Sequence, residues 1–198
     1  MITVVDYGMG NLRNVRRALE HVGQEVLVTN LAAEIEHAER LVLPGVGAFG
    51  EAIRRIDDLG LRRPLLRHVD AGKPLLGICL GMQLLFEHSE ENPGVKGLGL
   101  LKGAVVRFPG FVKVPHIGWN DVLSTQQSTL LGKTSISSRC FYFVHSFCVM
   151  DSAEEIASTD YGVTFTSAVE KDKVMAVQFH PEKSQSDGLA LLKNFVER

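Results

Sequence analysis

Short apolar runs alternate with amphipathic segments along the first half of the chain, and this alternation constrains the fold more than any other feature. Four runs are rich in Val, Leu and Ile and have the length of buried strands: 2–5, 25–29, 40–43 and 75–78. Apolar residues recur at helical spacing between or after them, which predicts helices from Leu12, from Phe49, from Pro64 and over 80–88. Repeated strand–helix units predict an α/β fold, with a largely parallel central sheet flanked by helices.

Strand signals dominate the second half of the chain. The predicted strands lie at 105–108, 117–123, 140–149, 155–159, 163–169 and 174–179. A last helix is predicted around Leu189 and Leu192, and the polar stretch 124–138 is expected to be a loop with no specific chemistry. No internal repeat or linker divides the sequence. We therefore expect a mixed sheet with a more antiparallel second half, within one domain that spans 1–198.

Charge and composition exclude several classes of protein. The 198 residues carry 21 Lys and Arg against 23 Asp and Glu, so no strong positive field is available to attract nucleic acid or anionic lipid. No uninterrupted apolar run approaches the ~18 residues that a membrane-spanning helix needs. Three cysteines are too few for a disulfide framework, and the first residues carry no targeting signal. We expect a cytoplasmic protein with no nucleic-acid or membrane partner.

Three histidines at strand ends raise the possibility of a metal site. His116, His145 and His180 are not spaced as His-x-x-x-His, and no acidic ligand cluster lies beside them in the sequence. We therefore expect no metal.

One pentapeptide carries a pattern typical of a catalytic nucleophile. Gly77-Ile78-Cys79-Leu80-Gly81 stands where a buried strand is predicted to turn into a helix. It has the form Gly-x-nucleophile-x-Gly of a nucleophile elbow, with Cys in place of Ser. The glycines allow a sharp turn, and the following helix N-terminus favours the thiolate. A buried structural cysteine beside two packing glycines is the alternative interpretation of the same residues.

A proton carrier for this thiolate is available at the end of the last predicted strand. Pro181 favours an extended conformation at His180, and in extended chain the side chains of His180 and Glu182 lie on the same side. Glu182 would then orient the imidazole while His180 faces the sulfur. The sequence thus predicts a Cys79-His180-Glu182 triad, whereas His-Pro-Glu taken alone is more typical of an exposed turn.

An oxyanion hole is the third part that such a site needs. The backbone N–H of Leu80, directly after the nucleophile, is one predicted donor. The second is predicted in Pro44-Gly45-Val46-Gly47, where the glycines let the N–H of Val46 point into the site. Together, the nucleophile elbow, the acid–base pair and the glycine-rich loop predict the active site of a cysteine hydrolase. They argue against the alternative that these segments are plain strand-to-helix turns.

These three segments resemble the triad-type glutamine amidotransferases, and the resemblance extends over the whole chain. More restrictive segments resemble the branch of that family that serves imidazole glycerol phosphate synthases. They are Asp6-Tyr7-Gly8-Met9-Gly10-Asn11-Leu12, Pro115-His116-Ile117-Gly118-Trp119-Asn120 and Tyr142-Phe143-Val144-His145-Ser146. The resemblance implies hydrolysis of L-glutamine without a cofactor. It also implies a heterodimer with a TIM-barrel cyclase subunit that uses the ammonia to make imidazole glycerol phosphate and an aminoimidazole carboxamide ribotide in histidine biosynthesis.

The resemblance also assigns roles to individual residues. It implies that glutamine is bound by Gly47, Gln83, Glu91, Ser146 and Phe147. It implies that the cyclase or the ammonia passage is contacted by Asn11, Asn14, Trp119, Tyr142 and Lys183. Each has a simpler interpretation: Asn11 is also a plausible helix N-cap, and Trp119 a core residue.

Two other functions stay open from the residues themselves. A glutaminase subunit of a different synthase would share the whole triad. A non-catalytic regulatory subunit that binds glutamine would share the fold, although the intact Cys79, His180 and Glu182 argue against it.

Overall fold

The computed structural model describes residues 1–132 and 138–197. Its strands are β1 (Ile2–Val5), β2 (Val26–Thr29), β3 (Leu41–Gly45), β4 (Leu75–Cys79), β5 (His88–Ser89), β6 (Ala104–Arg107), β7 (His116–Ser124), β8 (Ser138–His145), β9 (Phe147–Cys148), β10 (Glu155–Asp160), β11 (Thr164–Lys171) and β12 (Val174–Val177). Its α-helices are α1 (Leu12–His21), α2 (Ala32–His37), α3 (Phe49–Asp58), α4 (Arg62–Asp70), α5 (Leu80–Leu84) and α6 (Gln185–Val196). Of the helices that the structure describes, none has the length and hydrophobicity that crossing a bilayer would require.

A mixed nine-stranded sheet forms the centre of the fold, in the order β2-β1-β3-β4-β12-β11-β10-β7-β8. The pairings from β2 to β12 are parallel and those from β12 to β8 are antiparallel. Strands β5, β6 and β9 form a small second sheet. The predicted mixed α/β fold with an antiparallel second half is therefore confirmed.

Helices cover both faces of the central sheet. On one face α1 and α6 pack through residues such as Leu19 and Leu191, together with Leu76 and Ile78 of β4. On the other face α3 and α4 pack through residues such as Ile53 and Leu65. Because β4 is buried on both faces, its sequence is a continuous apolar run rather than an alternating one.

The predicted helix over 80–88 is wrong beyond its first turn. Helix α5 ends at Leu84, because the next carbonyl groups bond to a distant segment rather than to the next helical turn. Leu84 O accepts from Leu98 N at 2.8 Å, and Leu85 O accepts from Leu101 N at 3.0 Å. Tertiary hydrogen bonds therefore replace the helical ones here.

Three other details differ from the sequence-based prediction. The apolar run 140–149 is divided at Ser146 into β8 and β9, so it turns where one long strand was expected. Helix α2 was not predicted. The polar stretch 124–138 begins inside β7 and ends at Ser138, the first residue of β8, and residues 133–137 of it lie outside the described residues.

The order β3-β4-β12 brings three distant parts of the sequence to one edge of the sheet. In the parallel register, Gly45 of β3 pairs with Cys79 of β4. On the other side of β4, Val177 of β12 pairs with Ile78. Because parallel strands end at the same edge, the loop after Gly45, the residue Cys79 and the segment that includes His180 come together there.

The turn from β4 into α5 requires glycine at two positions. A Cβ added at Gly81 would overlap Leu43 O of β3, and one at Gly77 would lie 2.9 Å from Gly81 O. Both neighbours are backbone atoms, so they cannot move aside as a flexible side chain would.

We therefore expect Gly81→Ala to lower the free energy of unfolding by about 1–3 kcal/mol, the usual cost of overpacking. Gly110→Ala is the matched control, because a Cβ there has no neighbour within 4 Å. Chemical denaturation of both variants measures the difference. Equal stability of the two would contradict the tight contact between α5 and β3.

Candidate active site

Cys79 lies at the junction of β4 and α5 in a backbone conformation that residues other than glycine rarely adopt. Its φ of 55° and ψ of −111° place it in a strained turn, and it is 5% exposed. Strain of this kind persists where the surrounding packing fixes it, and it is frequent at functional sites. The elbow geometry that the glycines predict is therefore present at Cys79.

His180 and Glu182 form a buried pair beside this turn. His180 Nδ1 lies 2.8 Å from Glu182 Oε1, and both side chains are almost fully buried. His180 is extended, as predicted, but Pro181 begins a 3-10 turn over Pro181–Lys183. Glu182 therefore reaches the imidazole through a tight turn and not through the alternation of extended chain that the sequence suggested.

The protonation of His180 depends on its two neighbours. Burial lowers the pKa of His180, but hydrogen bonding to Cys79 and Glu182 and their negative charge outweigh burial and raise it to about 10. Its Nε2 is buried without a conventional hydrogen-bond partner among the described residues. These interactions favour the protonated, imidazolium form of His180.

Two buried glutamines connect the nucleophile to the opposite wall. Gln178 Nε2 lies 3.8 Å from Cys79 Sγ, and Gln178 Oε1 accepts from Gln83 Nε2 at 3.0 Å. Gln83 Nε2 also donates to Phe147 O at 2.9 Å. Both Nε2 hydrogens of Gln83 are thus used within the protein, which leaves its Oε1 for an ammonium group.

A cavity of about 310 Å³ opens over the nucleophile. Its lining includes every residue predicted to bind substrate or to donate to an oxyanion: Val46, Gly47, Leu80, Gln83, Glu91, Ser146 and Phe147. Glu91 supplies a carboxylate, although its Oε2 already accepts from Phe49 N at 2.7 Å at the start of α3. The volume and the polar groups suit a small polar molecule such as an amino acid.

The loop between β3 and α3 is anchored by a hydrogen bond at the end of β3. Tyr7, which is 1% exposed, donates its hydroxyl to Pro44 O at 2.8 Å. A Cβ at Gly45 would overlap that hydroxyl. Beyond this anchor, Val46 is 40% exposed, and Gly47 has a φ of 104°, a conformation that glycine adopts readily.

The residues predicted to contact a partner lie apart from the cavity. Asn11 is the N-cap of α1, where its side chain accepts from Asn14 N at 3.4 Å. Trp119 is 48% exposed and is not a core residue. It pairs with Tyr142 across the β7–β8 hairpin, and Lys183 Nζ lies 5.3 Å from the Tyr142 ring centroid.

The histidines considered as metal ligands have other partners. His116 Nδ1 lies 3.0 Å from His145 Nε2, and His180 bonds to Glu182. Within 1–132 and 138–197, no group of three or more His, Cys, Asp and Glu side chains is arranged to hold a metal ion.

Sequence reasoning missed the roles of Tyr7 and Gln178. Gln178 follows β12 directly, and the parallel pairing of β12 with β4 places it beside Cys79. Only the strand order reveals this, because the two residues are far apart in the chain. Tyr7 carries a weaker signal, an aromatic side chain two residues after β1 and directly before Gly8.

We expect Cys79→Ala to lower the pKa of His180, because the substitution removes interactions that raise it. The titration of the His180 ring in NMR spectra measures the change. Cys148→Ala is the control, because Cys148 lies on β9 and does not contribute to that pKa. An unchanged titration of His180 in Cys79→Ala would show that the sulfur does not control the imidazole.

The chain has many relatives among known proteins. The family model for class-I glutamine amidotransferases matches residues 3–198. The subunit HisH of imidazole glycerol phosphate synthase from Methanothermobacter thermautotrophicus is 49% identical over 198 residues, covering 100% of this chain and 98% of that protein. The subunit of the same name from Aquifex aeolicus is 51% identical, covering 98% of this chain and 95% of that protein.

Solved structures share the same fold. A crystal structure of a glutamine amidotransferase superposes with a TM-score of 0.78 at 23% identity, covering 100% of this chain and 98% of that one. PurLQS from Thermotoga maritima gives a TM-score of 0.77 at 21% identity, covering 99% of this chain and 97% of that one. At such identities the likeness concerns the fold alone.

Proposed function

We infer the function from the premise that the chain belongs to the class-I glutamine amidotransferases, whose family model matches it almost from end to end. It is the glutaminase subunit of an imidazole glycerol phosphate synthase and acts in histidine biosynthesis, since full-length relatives with this name share about half of its residues. A subunit of a different synthase and a non-catalytic glutamine-binding subunit are not favoured by these relatives.

One observation carries the assignment of the active site. Cys79, in its strained elbow, lines the cavity, and the buried His180–Glu182 pair lies beside it at the ends of two adjacent parallel strands. We propose this triad as the catalytic machinery of a single amidotransferase domain spanning 1–198.

The first half of the reaction forms a thioester. The Cys79 thiolate attacks the side-chain amide carbon of glutamine, and the amide oxygen becomes an oxyanion that accepts from the N–H groups of Leu80 and Val46. Removing one such donor typically costs ~2.7–4 kcal/mol of transition-state stabilisation. The C–N bond then breaks as His180 gives its proton to the leaving nitrogen, which departs as ammonia.

The second half releases glutamate. His180, now neutral, takes a proton from water, and the resulting hydroxide attacks the thioester carbon. The C–S bond breaks, glutamate leaves and Cys79 returns to the thiolate. Glu182 holds the imidazole through Nδ1 during both steps, so that Nε2 always faces the sulfur.

The far end of the cavity suits the α-amino and carboxylate groups of glutamine. Gln83 Oε1 and the Glu91 carboxylate are acceptors for the ammonium group. The backbone at Gly47, Ser146 and Phe147 supplies further polar groups there, which include N–H donors for the carboxylate.

The name of the relatives implies that this subunit works with a partner. We propose that the partner is a cyclase subunit with a TIM barrel, which receives the ammonia in the cytoplasm. The proposed contact surface comprises Asn11, Asn14, Trp119, Tyr142 and Lys183. The exposed side chain of Trp119 lies next to Tyr142. Tryptophan and tyrosine are among the residues that contribute most of the binding energy at protein interfaces.

We expect Cys79→Ala in the complex to abolish glutamine-dependent formation of imidazole glycerol phosphate, because loss of a triad nucleophile typically lowers kcat on the order of 10⁶-fold. Product formation from added ammonium salt should stay near the unsubstituted level. Glutamate release and cyclised product measure the two activities separately.

Cys140→Ala and Cys148→Ala are the controls for this experiment. Burial raises the pKa of the Cys140 thiol, with Asp121 and Asp187 adding to the shift, and burial raises that of Cys148 to about 12. Both thiols are therefore neutral and should be dispensable. If Cys79→Ala released glutamate at a rate near that of the unsubstituted protein, the assignment of Cys79 as the nucleophile would be wrong.

We also expect the isolated chain to be a weak glutaminase that the acceptor-bound partner activates. The hydrogen bond from Tyr7 to Pro44 O holds the start of the loop. Rotation about Gly45 ψ and Val46 φ would turn the peptide between them, so that it presents either its N–H or its C=O to the oxyanion. A ligand shifts such an equilibrium only by binding one state better, and a typical coupling gives roughly 5–150-fold activation.

Glutamate release measures this activation in three samples: the chain alone, with the empty cyclase, and with the cyclase plus an acceptor analogue. The kcat/KM value should be highest in the third sample. Equal kcat/KM values in all three samples would exclude a conformational switch of the peptide at Val46. They would not affect the assignment of the catalytic triad.

A further inference from the structure

A buried histidine pair lies beside the cavity and has no part in the triad. His116 begins β7 and His145 ends β8, and the two residues pair across the hairpin. They are 2% and 6% exposed, and His116 Nδ1 lies 3.0 Å from His145 Nε2. His145 also lines the cavity, so the pair reaches from the hairpin to the substrate pocket.

The hydrogen-bond partners fix which nitrogen of each ring carries the proton. His145 Nδ1 lies 2.9 Å from Phe147 O, which only accepts, so Nδ1 is protonated and Nε2 accepts. His116 Nδ1 must then donate to His145 Nε2. His116 Nε2 accepts from the Asn120 amide at 3.2 Å, whose nitrogen also donates to Asp160 O at 2.9 Å. All bonds run in one direction, from Asn120 to Phe147 O, with both rings neutral.

The surroundings of the pair favour the neutral form. Aromatic rings pack around it: Phe108, Phe143, Tyr161 and Phe165. Burial is the main cause that lowers the pKa of His116 to about 4 and that of His145 to about 3. The His180 imidazolium further disfavours a charge on His145. A proton added to His145 Nε2 would also place two donors face to face across the 3.0 Å contact.

Phe147 O joins the histidine pair to the nucleophile. The same carbonyl accepts from Gln83 Nε2, whose other hydrogen goes to Gln178 Oε1. Gln178 Nε2 in turn lies beside Cys79 Sγ. The carbonyl is thus held from the hairpin side by His145 and from the elbow side by Gln83.

We propose that His145 and His116 are positioning residues for glutamine binding. They act as a hydrogen-bond relay in which both rings are neutral and each ring carries its proton on Nδ1. The relay fixes the Phe147 carbonyl and, through it, the side chain of Gln83. This inference rests on the proposed glutaminase function. Because that wall holds the α-amino and carboxylate end of glutamine and not the reacting amide, the relay acts on substrate binding more than on the chemical step.

Two substitutions of His145, by residues that match each other in shape, test the proposal in the complex with the cyclase. His145→Leu removes the donor to Phe147 O and should raise KM for glutamine about tenfold, with kcat changed by no more than about twofold. His145→Asn has almost the same shape, and its amide N–H replaces the Nδ1–H donor. It should recover most of the lost affinity.

Three results of these measurements would contradict the proposal. An unchanged KM in His145→Leu, a fall in kcat without a rise in KM, or equal defects in the Leu and Asn variants with the fold intact would each overturn it. Circular dichroism and thermal unfolding establish that the fold is intact.

NMR tests the relay without any substitution. Long-range ¹H–¹⁵N spectra of the unsubstituted chain should show both His116 and His145 as neutral Nδ1–H tautomers at neutral pH. An Nε2–H tautomer or an imidazolium at either residue would overturn the relay.

A binding measurement separates failure of this inference from failure of the proposed function. Calorimetry on the complex in a Cys79→Ala background gives the Kd for glutamine without turnover, and adding His145→Leu should raise it about tenfold. If the unsubstituted complex released no glutamate but this Kd still rose, the glutaminase function would fail and the relay would stand. An unchanged Kd would overturn the relay.

Discussion

The contact between the first turn of α5 and the end of β3 is the constraint on which the rest of the site depends. Only glycine at position 81 lets the helix start against Leu43 O, directly after the register of β3 and β4 has put Cys79 level with Gly45. The strained backbone of Cys79 follows from that packing. The loop that carries Val46 then begins within reach of the sulfur, so the tight turn fixes the nucleophile and a donor for the oxyanion together.

Strand order supplies the remaining groups. Because β12 pairs parallel with β4, the residues just after β12 lie beside the elbow, with Gln178 next to the sulfur and His180 two residues further along the chain. Strand β9 of the small second sheet follows β8 after Ser146 and places Phe147 in the cavity wall. One carbonyl, Phe147 O, therefore receives hydrogen bonds from Gln83 on α5 and from His145 at the end of β8. The elbow is thus connected through side-chain amides to the β7–β8 hairpin, which carries the exposed Trp119.

The local sequence predicts the elements better than the contacts between them. Strand β1, helix α1 and the elbow at Cys79 follow from periodicity and glycine spacing. The early end of α5 does not, because it depends on amide groups beyond residue 96 that take its carbonyls. Gln178 and the pair of His116 and His145 were missed for a similar reason: their partners are set by strand register. Their spacing in the sequence argued against a metal site but did not reveal that His116 and His145 bond to each other.

The central claim is that Cys79 is the activated nucleophile of a glutaminase. Treating the complex with a glutamine-derived electrophile and mapping the modified peptides by mass spectrometry tests it most directly. The account predicts rapid modification of Cys79, protection by glutamine, and no comparable modification of Cys140 or Cys148, whose thiols stay neutral. Modification of Cys140 or Cys148 at a comparable rate, or of Cys79 without protection by glutamine, would contradict it.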